Sequence, residues 1–194
     1  MISFQDTSEL KLRGEIWIRE AQDPSRVMFH DHNVIVLGVK HFFARMFVSL
    51  GEPCWSVWGL ALGAGDPSWP STVQPDATPV QDRIISPLIR KPISKIQFVD
   101  ENLDPSSTDT NRVSYQTIIN ATTDNLTTPV REMGLLGGGT KVANGGTGTD
   151  PVTAPFWDPT TKDRDSVVLI NYKTLPPLMF PAGVNFLVEW VLQF

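Results

Sequence analysis

A chain of 194 residues has room for one ample domain whose core needs neither disulfides nor a metal. With 19% charged residues, a net charge of −5 and no basic run, its sequence speaks against nucleic acid or an anionic membrane as a partner. A lone cysteine, Cys54, excludes an intrachain disulfide, and no stretch approaches the roughly 18 apolar residues of a membrane span.

Taken in chain order, Met1–Ser8 lacks the basic and apolar regions of a signal peptide, so synthesis and folding in a cytosol are expected. Leu12, Gly14, Ile16 and Ile18 alternate, which predicts a first strand within Lys11–Glu20; Asp23-Pro24-Ser25 is a turn, and Arg26–Phe29 suits a short returning strand. From Asn33 to Leu50 apolar residues recur at Ile35, Val39, Phe42, Phe43, Met46, Phe47 and Leu50, the gaps of three and four of an amphipathic helix. Asp31 or Asn33 can cap it and Gly51 with Pro53 stops it, although Val34–Leu37 also suits a strand. Trp55–Leu62 predicts another strand, and Gly63–Gln81, punctuated by Pro and Gly, a long exposed loop.

Further strands are predicted over Ser94–Asp100, with Ile96 and Phe98 inward, over Arg112–Ala121, with Val113, Tyr115, Thr117 and Ile119 on one face, over Val130–Leu136 and over Val167–Tyr172. Residues 140 to 164 carry no periodicity and read as a second long loop; Pro176-Pro177 is expected to break the chain before the closing strand. In that last strand Val184, Phe186, Val188, Trp190, Leu192 and Phe194 share one face, against Asn185, Glu189 and Gln193 with Leu187 and Val191 as apolar intruders. The sum is a mainly β chain: one domain over 1–194, an antiparallel β-sandwich or jelly-roll-like fold with one helix at about 33–50 and long loops at about 63–81 and 140–164. Loops of that length usually have a function, which argues for contact with a partner.

Candidate chemistry is sparse. His30 and His32 would share a strand face and could ligate a metal, but no third ligand is evident, and a polar strand end is the plainer account. The runs Gly134–Thr140 and Gly145–Gly148 lack the helix or βαβ context of a phosphate loop. Cys54, between Pro53 and Trp55, reads as a core residue, and no Gly-x-Ser-x-Gly elbow is present. No pair among the acids is singled out for glycoside hydrolysis. Trp58 and Trp190 read as core. Trp17 is out of phase with the inward set of its strand, and Trp69 and Trp157 fall in the two long loops, so these three are candidate interface residues or, in the loops, anchors that fold the loop back.

Several short segments carry a resemblance in their order: Asn33–Leu50, Trp58-Gly-Leu-Ala-Leu-Gly-Ala-Gly-Asp66, Leu88-Ile-Arg-Lys-Pro-Ile93, Val130-Arg-Glu-Met-Gly-Leu-Leu-Gly137, Asn171-Tyr-Lys-Thr-Leu-Pro-Pro-Leu178 and Phe186–Phe194. Together they resemble small tail-associated virion proteins of bacteriophages, with departures at Leu136, where the pattern prefers Phe, and in the length of the 140–164 loop. The resemblance implies a non-enzymatic structural component of a tail, at a baseplate, collar or fibre attachment. Such a subunit would be made in the host cytoplasm and built into the virion beside copies of itself and other virion proteins. It implies no catalytic residues and no cofactor. The alternative is a carbohydrate- or receptor-binding module that takes a host-surface glycan on Trp69 and Trp157; a third possibility is a metalloenzyme using His30 and His32.

Overall fold

The first and last strands of the chain lie side by side. In the computed structural model, which describes residues 12–40, 43, 56–138, 156 and 167–194, β1 (Arg13–Glu20) pairs antiparallel with β10 (Asn185–Gln193) over its whole length, from Arg13↔Gln193 to Glu20↔Phe186. With β2 (Val27–His32), β7 (Arg112–Asn120) and β6 (Lys95–Phe98) they form a sheet of order β2-β1-β10-β7-β6, so the C-terminal strand is its centre. The second sheet has the order β3-β9-β8-β4-β5, built from β3 (Val34–Ile35), β9 (Val167–Leu178), β8 (Val130–Gly138), β4 (Val57–Gly63) and β5 (Pro87–Pro92). The chain is a mainly β protein of two packed antiparallel five-stranded sheets, a sandwich.

Side-chain alternation puts Ile16, Ile18, Tyr115, Ile119, Phe186, Val188, Trp190 and Leu192 from the first sheet against Leu60, Leu62, Met133, Leu135, Val168 and Ile170 from the second. Trp190 is 1% exposed and sits near the middle of this core. The face predicted for the last strand is therefore the core face, except at its end: Phe194 is 39% exposed. Ile96 and Phe98 point the same way as Tyr115 but remain 55% and 38% exposed, because β6 is the edge of its sheet.

Both edges of the sandwich are closed by the chain itself. β2 ends the first sheet and β3 ends the second, and only Asn33 separates them. The Asn33 amide donates to the Gly14 carbonyl in one sheet (3.1 Å), while Val34 and Ile35 pair with Tyr172 and Asn171 in the other. At the opposite edge β5 passes to β6 through Ile93 and Ser94. Ile93 N donates to Trp58 O (2.7 Å) in the second sheet and Ser94 N to Gln116 O (2.8 Å) in the first. Sheet-switching corners of this kind leave little free edge for another strand to join. Ion pairs reinforce the closure: Lys173 of β9 meets Asp31 of β2 at 2.5 Å, and Lys91 of β5 meets Asp124, in the turn after β7, at 2.6 Å.

The predicted helix begins later than its periodicity suggests. Val34 and Ile35 are strand, Leu37 is a turn, and helical backbone occurs at 38–40 and at 43; its continuation toward Leu50 lies outside the described residues. The backbone donors and acceptors of Val34–Ile35 complete the second sheet, and that pairing overrides the helical spacing. The prolines at 176 and 177 do not break the chain before the last strand either: β9 runs through them to Leu178, at exposed positions beyond the Thr174↔Glu132 pair where the register shifts.

Candidate functional site

The two sheets present very different outer faces. On the first sheet, Trp17 stands opposite His30, and the two rings stack with centroids 3.4 Å apart and planes at 15°. The Arg19 guanidinium carbon lies 4.5 Å from the centroid of the same indole. One strand over, Glu189 is buried although it faces away from the core. Its Oε1 accepts from Ser114 Oγ (2.7 Å) and Gln116 Nε2 (2.9 Å), and its Oε2 lies 3.4 Å from Arg19 Nη1. The strand register brings these groups together: Trp17↔Glu189↔Gln116 is one continuous row, and Lys95 extends it. Partly buried Trp17 and Arg19 and exposed His30 thus form an aromatic and cationic surface over a satisfied carboxylate.

His30 and His32 do share the outer face of β2, their centroids 6.3 Å apart. His30 directs Nε2 toward Glu15 Oε2 at 3.6 Å, and its ring is committed to Trp17. Among the described residues, no three His, Cys, Asp or Glu side chains gather in an arrangement that could hold a metal. Asp31 points the other way, to Lys173. Burial raises its pKa, but the Lys173 hydrogen bond and charge and the His32 amide (2.8 Å) outweigh burial and hold it below the ordinary carboxylate range.

The second sheet is covered on its outer face. Val36, Ala61, Ile84, Leu136, Val167, Leu169 and Tyr172 form a second apolar cluster there, with Trp58, Ala77 and Phe156 packed against it. The connection at 64–86 lies down on this face. Glu132, 0% exposed, holds it: Oε1 accepts from Gly65 N (3.1 Å) and Ser86 N (2.8 Å), and Oε2 accepts from Ile85 N (3.0 Å) and Tyr172 Oη (2.8 Å). Burial and the neighbouring Glu132 carboxylate push the Tyr172 hydroxyl well above its usual pKa, so it stays a donor. Arg131 clamps the same loop through the carbonyls of Trp69 (3.1 Å), Pro70 (2.7 Å) and Val73 (2.9 Å). Thr174 reaches the Pro75 carbonyl from β9.

Trp69, read from the sequence as either an interface residue or an anchor that folds its loop back, is half-buried over Gly65 and lies 5.4 Å from the Arg131 guanidinium carbon. Gly65 has φ +76° and its α-carbon faces the indole, so the turn needs a residue without Cβ twice over. Trp157 and Cys54 lie outside the described residues. Phe156, in the second long loop, makes a parallel bridge to Val167 and lies under the Arg90 guanidinium at 4.2 Å.

Between the sheets an apolar cleft of about 350 Å³ opens beside β6, lined by residues that include Val39, Phe43, Ile96, Tyr115, Leu192 and Phe194. Two of its lining side chains, Ile96 and Phe194, are exposed, as is Phe98 two residues further along β6. Sequence reasoning did not single out Glu132 or Arg131. Two adjacent charges in an apolar strand, Val130-Arg-Glu-Met133, were the available signal, since charges in such a run must find partners when buried.

No family model, curated protein or solved structure matches this chain. Among the described residues, no helix is long and apolar enough to cross a membrane.

Proposed function

We propose that this chain is a non-enzymatic structural subunit of a bacteriophage tail, at a baseplate, collar or fibre attachment, that contacts copies of itself and other virion proteins. The reading draws on the order of short segments that resembles tail-associated virion proteins. The observation that carries it is the apolar cleft lined by exposed Ile96 and Phe194, with Phe98 also exposed two residues further along β6. Exposed apolar side chains at an apolar cleft suit subunit contact better than solvent. The polar outer face bearing Trp17 and Arg19 supplies a second surface of the kind enriched in contacts, because both residue types are over-represented at interfaces.

Carbohydrate or receptor binding through the loop tryptophans has less support. Trp69 packs over Gly65 and beside Arg131, so much of its ring serves to anchor the loop. The test is incorporation. Mass spectrometry of purified phage tails should find the chain, and Ile96→Lys with Phe98→Lys should reduce its incorporation while the isolated protein still melts cooperatively. A chain absent from the particle, or incorporation unaffected by the double variant, overturns the proposal.

A further inference from the structure

The apolar cleft beside β6 contains one polar group that the protein leaves unused. Tyr115 and Leu192 of the first sheet and Ile35, Val57 and Ile170 of the second contribute to its walls, so it is a gap between the two inner faces. Its lining side chains are apolar except those of Ser56 and Tyr115, and none is charged. Ser56 is exposed, so its hydroxyl has water. Tyr115 is only 9% exposed, and its hydroxyl makes no hydrogen bond among the described residues.

The indole nitrogens of Trp17, Trp58 and Trp190 also lack partners, but they are sealed inside the protein; the Tyr115 hydroxyl is not sealed, and the residue lines the cleft. Burial pushes its pKa up to about 12, so it stays a neutral donor at ordinary pH. An unpaired hydroxyl in an apolar site is costly, and an occupant that supplies an acceptor recovers that cost. The lining also says what does not fit. A carboxylate or ammonium would be stranded without a counter-charge, and a peptide backbone would bring more polar groups than one hydroxyl can meet. An apolar cavity of about 150 Å³ takes a benzene ring; this one, of about 350 Å³, has room for a ring with a short alkyl chain.

We propose that the cleft binds a small, uncharged, mainly apolar molecule with one acceptor oxygen, such as a ketone or ester carbonyl, to which the Tyr115 hydroxyl donates. The apolar body lies between Ile35, Val57, Ile170 and Leu192. The assembly reading concerns the exposed side chains Ile96 and Phe98, and this one concerns the interior, so neither rests on the other.

Nuclear magnetic resonance of the methyl-labelled full chain tests it, with valerophenone, pentylbenzene and 5-phenylpentanoate as probes. Valerophenone should shift the methyl signals of Ile35, Val57, Ile170 and Leu192 saturably. Pentylbenzene, of similar shape without the carbonyl, should bind about threefold to tenfold more weakly, the scale of one neutral hydrogen bond. The carboxylate of 5-phenylpentanoate should weaken binding further. Tyr115→Phe, which removes only the unpaired hydroxyl, should bring valerophenone down to the affinity of pentylbenzene and leave pentylbenzene unchanged. The proposal is overturned if no probe shifts these methyls, if ketone and hydrocarbon bind wild type alike, if the carboxylate binds as tightly as the ketone, or if Tyr115→Phe keeps the preference for the ketone.

Discussion

The outer face of the β8–β9 sheet and the outer face of the β1–β10 sheet solve the same problem in opposite ways. On the first, all nine residues of β8 are buried, because the 64–86 connection is drawn down onto Leu136, Leu169 and Tyr172. The buried polar groups on that face, Glu132 and Arg131, act as the fasteners, each meeting several backbone groups of the connection. On the second face no described loop is fastened in this way. There Ser114, Gln116 and Arg19 satisfy Glu189 within the sheet, while Trp17 and His30 stay partly in solvent and the Trp17 indole nitrogen has no hydrogen-bond partner. A sheet buried on both faces can carry near-continuous apolar strands, whereas a sheet with one wet face must alternate. The first face is closed by its own loop, whereas the second keeps an aromatic and cationic row at the surface.

The comparison would break most visibly at Glu132. Glu132→Ala leaves three loop amides and the Tyr172 hydroxyl without this acceptor in a dry site. We expect a loss of about 3–5 kcal/mol in chemical denaturation, together with faster hydrogen exchange over 64–86. A loss below about 1 kcal/mol would show that the loop is not fastened there.

Next come matched truncations on the two faces. Leu169→Ala, in the covered cluster, should cost about 2–5 kcal/mol, whereas Ile118→Ala, 37% exposed on the wet face, should cost less than about 1.5 kcal/mol. Equal costs in parallel denaturation curves would erase the distinction between the faces.

Arg19→Ala sharpens it further. Glu189 would keep Ser114 and Gln116 but lose its cation, and the expected cost is about 1 kcal/mol. The near-ultraviolet signal of Trp17 should change with it, since the guanidinium lies by the indole.

The smallest effect is a pH dependence at the edge between the sheets. The folded pKa of Asp31 is depressed, so the carboxylate contributes stability that is complete above its unfolded value of 3.8 and is lost as pH falls through the lower folded value. Wild type should therefore lose more stability than Asp31→Asn between pH 5 and pH 2, by denaturation measured at each pH. Parallel decline of the two proteins would show that the Lys173 pair contributes nothing.

Much of the fold was legible along the chain. Period-two alternation located β1, β4, β7 and β10, and in β10 it identified Phe186, Val188, Trp190 and Leu192 as core before any pairing was known. Trp17 was legible as an outward residue because it is out of phase with Ile16 and Ile18. The candidate sites were less so. His30 and His32 could be placed on one face, but not the Trp17 ring that holds one of them or the Glu15 carboxylate beside it. Nothing local marks Asn33 as a corner.

What this sequence determined alone is the direction in which each strand's side chains point, since alternation is a property of the extended backbone itself. Which strand lies beside which, where the chain changes sheets, and which charges become fasteners were decided only by tertiary structure. Val34–Ile35 became strand because Tyr172 and Asn171 offered partners more than 130 residues away, and Glu132 became buried because a distant loop offered its amides. Local spacing encodes periodicity; hydrogen-bond partners far along the chain settle where that periodicity is used.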